Sequence, residues 1–210
     1  MNQLIHVPKT GGFAMCTFLA HHFPGHFELM GHEFRTKDSE NPIVTIRNPI
    51  ERVESAYQYL TKGSEIFDLN ERMTFWEFLA VAEELMGSIR PDEHDLLSKY
   101  PTTIHSLPQA YWINREDYSK TIVIIYQKDL NESVFELLRI LDLPEPTERL
   151  PTLNATRNKK PMRFSGHELK KIMDLYVSDF ALWHEIVHNP NKSNPEAWAL
   201  GSFSLPMVLS

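Results

Sequence analysis

Two short segments of this chain carry the residue types that grip phosphate. Pro8-Lys9-Thr10-Gly11-Gly12 follows an apolar run, Leu4 to Val7, and precedes Phe13-Ala14. Adjacent glycines let a chain turn tightly and bring backbone N–H groups close to an anion. A helix starting there adds the positive end of its dipole, and Lys9 adds a full charge. The order is not that of a Walker A loop, in which lysine follows the glycines, so ATP or GTP hydrolysis is not the first expectation. The second segment, Arg47-Asn48-Pro49-Ile50-Glu51-Arg52-Val53-Glu54-Ser55-Ala56-Tyr57, follows the run Ile43 to Ile46. Arg47 offers a bidentate fork to a phosphate, and Ser55 offers a hydroxyl one to two helical turns further on. Each segment also has a plainer reading. The first is then a strand-to-helix turn with a surface lysine, and the second an arginine paired with Glu51 or Glu54.

Histidines supply the other chemistry. His32 stands between the two segments in Met30-Gly31-His32-Glu33-Phe34. An imidazole there suits proton transfer from a hydroxyl near neutral pH. Glu33 is a fallback base and His105 a weaker one, while His6 reads as a structural strand residue. His21, His22 and His26 straddle Pro24-Gly25, which breaks helical spacing, so no metal cluster is expected among them. His184-Glu185-Ile186-Val187-His188 is an H-E-x-x-H match on a helical pattern, which could set two zinc ligands on one face with Glu185 as base. Its extended form is missing, since Asn191 and Asn194 occupy the places of the further Gly and His. Helix surface is the favoured reading of that match.

The elements that must position these residues alternate. Strands are expected over 2–7, 26–30, 42–46 and 121–126, and helices over 12–22, from Asn48-Pro49 onward, from Thr74 to about Met86, and over 130–141. A long helix is expected from Ser165 to about His188. Asn48 caps the second helix with Pro49 in its first turn. Thr74-Phe-Trp-Glu77 and Ser165-Gly-His-Glu168 are capping-box patterns. On the second helix Val53, Ala56, Tyr57 and Leu60 form an apolar stripe, and Arg52, Ser55 and Tyr59 share another face. Strand–helix alternation of this kind predicts an α/β fold with a mainly parallel central sheet flanked by helices. It is expected as one domain over 1–190, followed by a C-terminal tail, 191–210, rich in Asn, Pro and Ser.

Composition narrows the class. A 210-residue chain with 42% hydrophobic residues can bury a full core. The net charge of −7 argues against a general nucleic-acid binder. One cysteine, Cys16, allows no intrachain disulfide. No apolar run approaches the roughly 20 residues of a membrane span, and the expectation is a soluble cytoplasmic protein. Charge is uneven: residues 62–117 hold eleven acids against five Lys/Arg, and 149–171 hold seven Lys/Arg against one acid. The second stretch includes Arg157, Lys159 and Lys160 in a loop-like segment, as a local anion would require.

Together, the Pro8–Gly12 and Arg47–Tyr57 segments resemble the 5′-phosphosulfate loop and the 3′-phosphate motif of sulfotransferases that use 3′-phosphoadenosine 5′-phosphosulfate (PAPS). The likeness is nearest to carbohydrate O-sulfotransferases and their soluble bacterial relatives, and its two motifs cover the first third of the chain. Weaker similarity continues through the 121–126 strand, Asn154, Tyr176, Asp179 and Leu182. The resemblance implies a three-layer, P-loop-like fold and PAPS as co-substrate, with no metal. It implies that Lys9 neutralises the leaving phosphate oxygen and that His32 is the base. Backbone around Gly11, Gly12, Phe13 and Ala14, with Thr10, would hold the 5′-phosphate. Arg47 and Ser55 would hold the 3′-phosphate, and the Arg157, Lys159, Lys160 loop would close over the nucleotide. The acceptor implied is a hydroxyl on a saccharide or small molecule, with no nucleic acid or membrane as partner. Relatives carry Thr or Ser where Phe13 and Ala14 stand, and each neutral hydrogen bond lost weakens binding by roughly 0.5–1.5 kcal/mol. A nucleotide-binding protein without transfer activity is therefore an alternative, and a zinc hydrolase a more distant one.

Overall fold

A computed structural model describes residues 2–29, 42–62, 73–89, 99–100, 103–112, 122–126, 130–151 and 161–188. The chain is α/β. Four strands, β1 (Asn2–Ile5), β2 (Phe27–Leu29), β3 (Pro42–Arg47) and β4 (Ile122–Tyr126), form one parallel sheet in the order β2-β1-β3-β4. The helices are α1 (Gly12–His22), α2 (Pro49–Lys62), α3 (Phe75–Ser88), α4 (Leu130–Ile140), α5 (Gly166–Leu175) and α6 (Val177–His188). Two 3-10 turns, Thr103–Ser106 and Gln109–Trp112, lie between α3 and β4.

Strand residues alternate between two faces. Leu4 and Ile43 pack with Met15, Phe18 and Leu19 of α1 and with Val134, Leu137 and Leu138 of α4. Ile5, Val44 and Ile46 pack on the other face with Leu85 of α3, Ile104, Leu107 and Trp112 of the 3-10 turns, and Leu182 and Ile186 of α6. Helical structure thus covers both faces, as strands buried on both sides require. A third cluster joins α2, α3 and α5 through Val53, Ala56, Leu60, Phe78, Leu79 and Ile172.

The long helix expected from Ser165 to about His188 is broken at Tyr176 into α5 and α6. The two halves serve different cores. Ile172 packs with α2 and α3, whereas Leu182 and Ile186 pack on the sheet. The capping boxes at Thr74–Glu77 and Ser165–Glu168 are both formed.

The strand order fixes where a ligand would find a crevice. From β1 the chain crosses by α1 to β2 on one side, and β3 lies on the other side of β1. The α1 connection covers one face, and the connection from β3 to β4 covers the opposite one. In open α/β sheets such a reversal opens a crevice beyond the carboxyl ends of the two central strands. Here those strands are β1 and β3, and their carboxyl ends lead into the Pro8–Gly12 and Arg47–Ser55 segments.

Candidate functional site

At the end of β1 the backbone makes two excursions into the left-handed region, Lys9 at φ 66° and Gly11 at φ 80°. Lys9 carries the steric cost of that conformation, whereas Gly11 does not. Gly11 is the N-cap residue of α1, and no side chain caps this helix among the described residues. The N–H groups of Gly12, Phe13 and Ala14 have no intrahelical acceptor. Gly12 is required by packing: a Cβ there would stand 2.5 Å from Cδ2 of His6. His6 is thus a structural wall of the corner, as the sequence suggests.

Thr10 is fully buried. Its hydroxyl donates to the Val7 carbonyl at 2.8 Å and meets the Thr45 hydroxyl at 2.5 Å. The expectation that Thr10 helps to hold a phosphate is corrected: the residue is buried, and its hydroxyl faces inward and ties the loop to β3. Phe13 is exposed and Ala14 half-buried, so the first turn of α1 presents an aromatic side chain.

Arg47 ends β3. Asn48 caps α2 as expected, its Oδ1 accepting from the N–H groups of Ile50 and Glu51 at 3.0 and 3.3 Å. The Arg47 guanidinium pairs with Glu51, with Nε and a terminal nitrogen each 3.3 Å from Oε2. Glu54 is turned elsewhere. Its Oε1 accepts from Gln58 Nε2 at 2.9 Å and from the Met162 N–H at 3.1 Å. The chain returning from the basic segment is thereby fastened to α2 one residue before Ser55.

The two segments are joined. The register pairs Ile5, the last residue of β1, with Val44, three residues before Arg47. Arg52 Nε donates to the Pro8 carbonyl at 3.1 Å. One turn or two along the same α2 face, the Tyr59 ring lies under the Lys9 ammonium, 3.9 Å from Nζ to the ring centroid. Ser55 is half-buried and sits between Arg52 and Tyr59 on that face. His105, brought in by the first 3-10 turn, is buried with its ring 4.8 Å from that of Tyr59. Burial raises the Tyr59 phenol pKa above its ordinary value.

Behind the corner lies a buried polar network centred on Asp179. Its carboxylate accepts from the N–H groups of Gln109 and Ala110 at 3.0 and 2.9 Å and lies 3.8 Å from Arg52 Nη1. The Gln109 amide in turn clamps Arg47, accepting from its N–H at 3.0 Å and donating to its carbonyl at 2.9 Å. Tyr176 donates to the Ser106 carbonyl at 2.6 Å. One carboxylate therefore holds Arg52, which holds Pro8, and Gln109, which holds Arg47. Burial pulls the Arg52 guanidinium below its ordinary pKa, Asp179 and Tyr176 oppose that, and the nearby Arg47 charge adds to it. Both terminal nitrogens of Arg52 are buried without a hydrogen-bond acceptor among the described residues.

Sequence reasoning grouped Arg52 with Ser55 and Tyr59 but assigned no role to Gln109. Asp179 had a signal: it is a carboxylate within the buried stripe Ile172, Tyr176, Leu182, Ile186. Gln109 had none. His32, Glu33, Arg157, Lys159 and Lys160, and the tail from 189, lie outside the described residues. Within the basic stretch, Lys170 and Lys171 are engaged elsewhere, by Asp174 at 2.8 Å and Glu83 at 2.7 Å. In the H-E-x-x-H match His184 is exposed, and no third ligand gathers with it among the described residues. No described helix is long and apolar enough to cross a membrane.

No protein-family model matches the chain, and neither a curated protein nor a solved structure is significantly similar to it.

Proposed function

We propose that the chain is a PAPS-dependent O-sulfotransferase with a P-loop-like fold, moving a sulfuryl group to a hydroxyl on a saccharide or small molecule. One observation carries this reading. A glycine-built helix start beside Lys9 and the Arg47 end of β3 stand at the two central strands of a parallel sheet, tied through Arg52 and Gln109 to the same buried carboxylate. Two fixed anion grips on adjacent corners suit a nucleotide phosphorylated at both the 3′ and 5′ positions. Glu51 keeps Arg47 oriented in the free protein, and a 3′-phosphate would compete with it for the guanidinium.

In this reading the acceptor oxygen attacks sulfur in line as the bond from sulfur to the phosphate oxygen breaks. His32 takes the acceptor's proton. Lys9, resting on Tyr59, neutralises charge growing on the departing phosphate oxygen. The exposed Phe13 supports the alternative of a nucleotide binder without transfer activity, because the sulfotransferases that the motif resembles carry a hydroxyl donor there. Sulfate transfer from radiolabelled PAPS to a saccharide panel separates the two.

The first test is thermal. 3′-Phosphoadenosine 5′-phosphate (PAP) should raise the melting temperature more than ATP or GTP at equal concentration, and Arg47→Ala should abolish the rise. A larger response to ATP than to PAP would sink the proposal.

A further inference from the structure

We infer that His21, His22 and Glu148 form a divalent-cation site, best suited to zinc, at the C-terminal end of α1. The ligand atoms of the three side chains lie within 4.8 Å of one another. His22 Nε2 and Glu148 Oε2 are 3.6 Å apart. Two ligands each about 2.0–2.1 Å from a tetrahedral zinc stand about 3.4 Å from one another, so this pair already spans one edge of the tetrahedron. The His21 and His22 rings meet edge to face with centroids 4.9 Å apart, and a modest side-chain rotation brings the third ligand in.

The expectation of no metal cluster rested on His21, His22 and His26 alone, and His26 does not join the group. The third ligand comes instead from the segment after α4. That segment is held firmly: the Leu150 N–H donates to Asn131 Oδ1 at 2.7 Å, and Leu143 and Leu150 pack on the core that also buries α1. His22 is braced by Phe18, with ring centroids 4.5 Å apart. Both halves of the site are thus set by one core before any ion arrives. The carbonyl end of the α1 dipole favours a cation here. Two imidazoles and one carboxylate suit a borderline metal and disfavour magnesium or calcium, which take oxygen ligands. His21 and Glu148 are exposed, so water completes the shell.

The site is independent of the nucleotide proposal. It lies at the other end of an eleven-residue helix, about 16 Å from the glycine corner. Zinc titrated into the tag-free full chain by calorimetry should bind one ion per chain and raise the melting temperature, and magnesium should do neither. His22→Ala and Glu148→Gln should each weaken zinc binding at least tenfold, since losing even an outer partner of a metal ligand costs roughly 10–100-fold. Glu148 is a solvent-facing side chain, so its variant keeps the metal-free melting temperature and remains informative if His22→Ala folds poorly. His184→Ala should bind zinc as the parent does. Absence of zinc binding would overturn the inference, as would full affinity in Glu148→Gln or loss of binding in His184→Ala.

Discussion

The start of α1 and the starts of α3 and α5 solve one problem in opposite ways. Every helix leaves its first N–H groups without intrahelical acceptors. At α3, Thr74 accepts from the Glu77 N–H while the Glu77 carboxylate accepts from the Thr74 N–H, and at α5 Ser165 and Glu168 do the same. At α1 the N-cap is a left-handed glycine with no side-chain cap. A side-chain cap normally springs from extended backbone, so the geometry at Gly11 excludes one. Around the capped ends the stabilising atoms are exposed and local. Around the uncapped end they are buried and distant in sequence, reaching through Arg52 and Gln109 to Asp179. The contrast teaches that α1 is held from behind while its first N–H groups meet no side-chain cap among the described residues, as a backbone anion site requires.

Removing the rear support should break that contrast most severely. Asp179→Ala leaves Arg52 buried without its counter-charge and frees the backbone N–H groups of Gln109 and Ala110. Breaking a buried ion pair from one side costs about 3–5 kcal/mol. Urea denaturation should show a loss of that order, together with loss of the PAP-induced melting shift. A loss below about 1 kcal/mol would mean that the corner does not depend on this network.

A smaller effect is expected at the corner's own wall. Alanine is a better helix former than glycine by about 1 kcal/mol, so Gly12→Ala would stabilise an ordinary helix start. Here the added methyl meets the His6 ring. Overpacking of that kind costs about 1–3 kcal/mol, and a net loss is the expected outcome. The double variant His6→Ala with Gly12→Ala should recover stability beyond additivity, because the two residues touch. Strict additivity in the denaturation energies would show that the ring gives way freely.

The same contrast explains what was readable in the sequence. Capping boxes are local patterns, and both are formed as read. β1 and β3 were readable because buried parallel strands are short apolar runs bounded by turn residues, and Asn48-Pro49 announces a helix, although β1 stops at Ile5, two residues short of the expected end, where the Val7 N–H turns back to the Ile5 carbonyl. The stripe Arg52, Ser55, Tyr59 followed from helical periodicity alone. Hidden from the sequence were contacts between distant segments: Gln109 around Arg47, Asp179 behind both grips, His105 against Tyr59. The inward turn of Thr10 was hidden too, because a hydroxyl beside glycines looks the same whether it faces a ligand or Val7. The break at Tyr176 was hidden because a single stripe, Ile172 to Ile186, fits one straight helix, and only the presence of two separate cores bends it.

The smallest effects should come from the capped ends, and their character differs in kind from those at the open end. Ser165→Ala removes one partner of a capping box and should cost about 1 kcal/mol. It should leave the PAP-induced melting shift intact, because the bonds lost are confined to the exposed capping box at the start of α5. At α3 the Glu77 carboxyl is held below its usual pKa by the Thr74 backbone N–H and then by the Thr74 hydroxyl. A lowered folded-state pKa means that the carboxylate stabilises the fold above its unfolded value, and that this is lost as pH falls through the folded one. Between neutral pH and pH 3 the parent should therefore lose more stability than Glu77→Gln, measured by denaturation at each pH. If the two fall in parallel, the box at α3 adds nothing electrostatic, and the difference between capped and open helix starts reduces to the hydroxyl bonds alone.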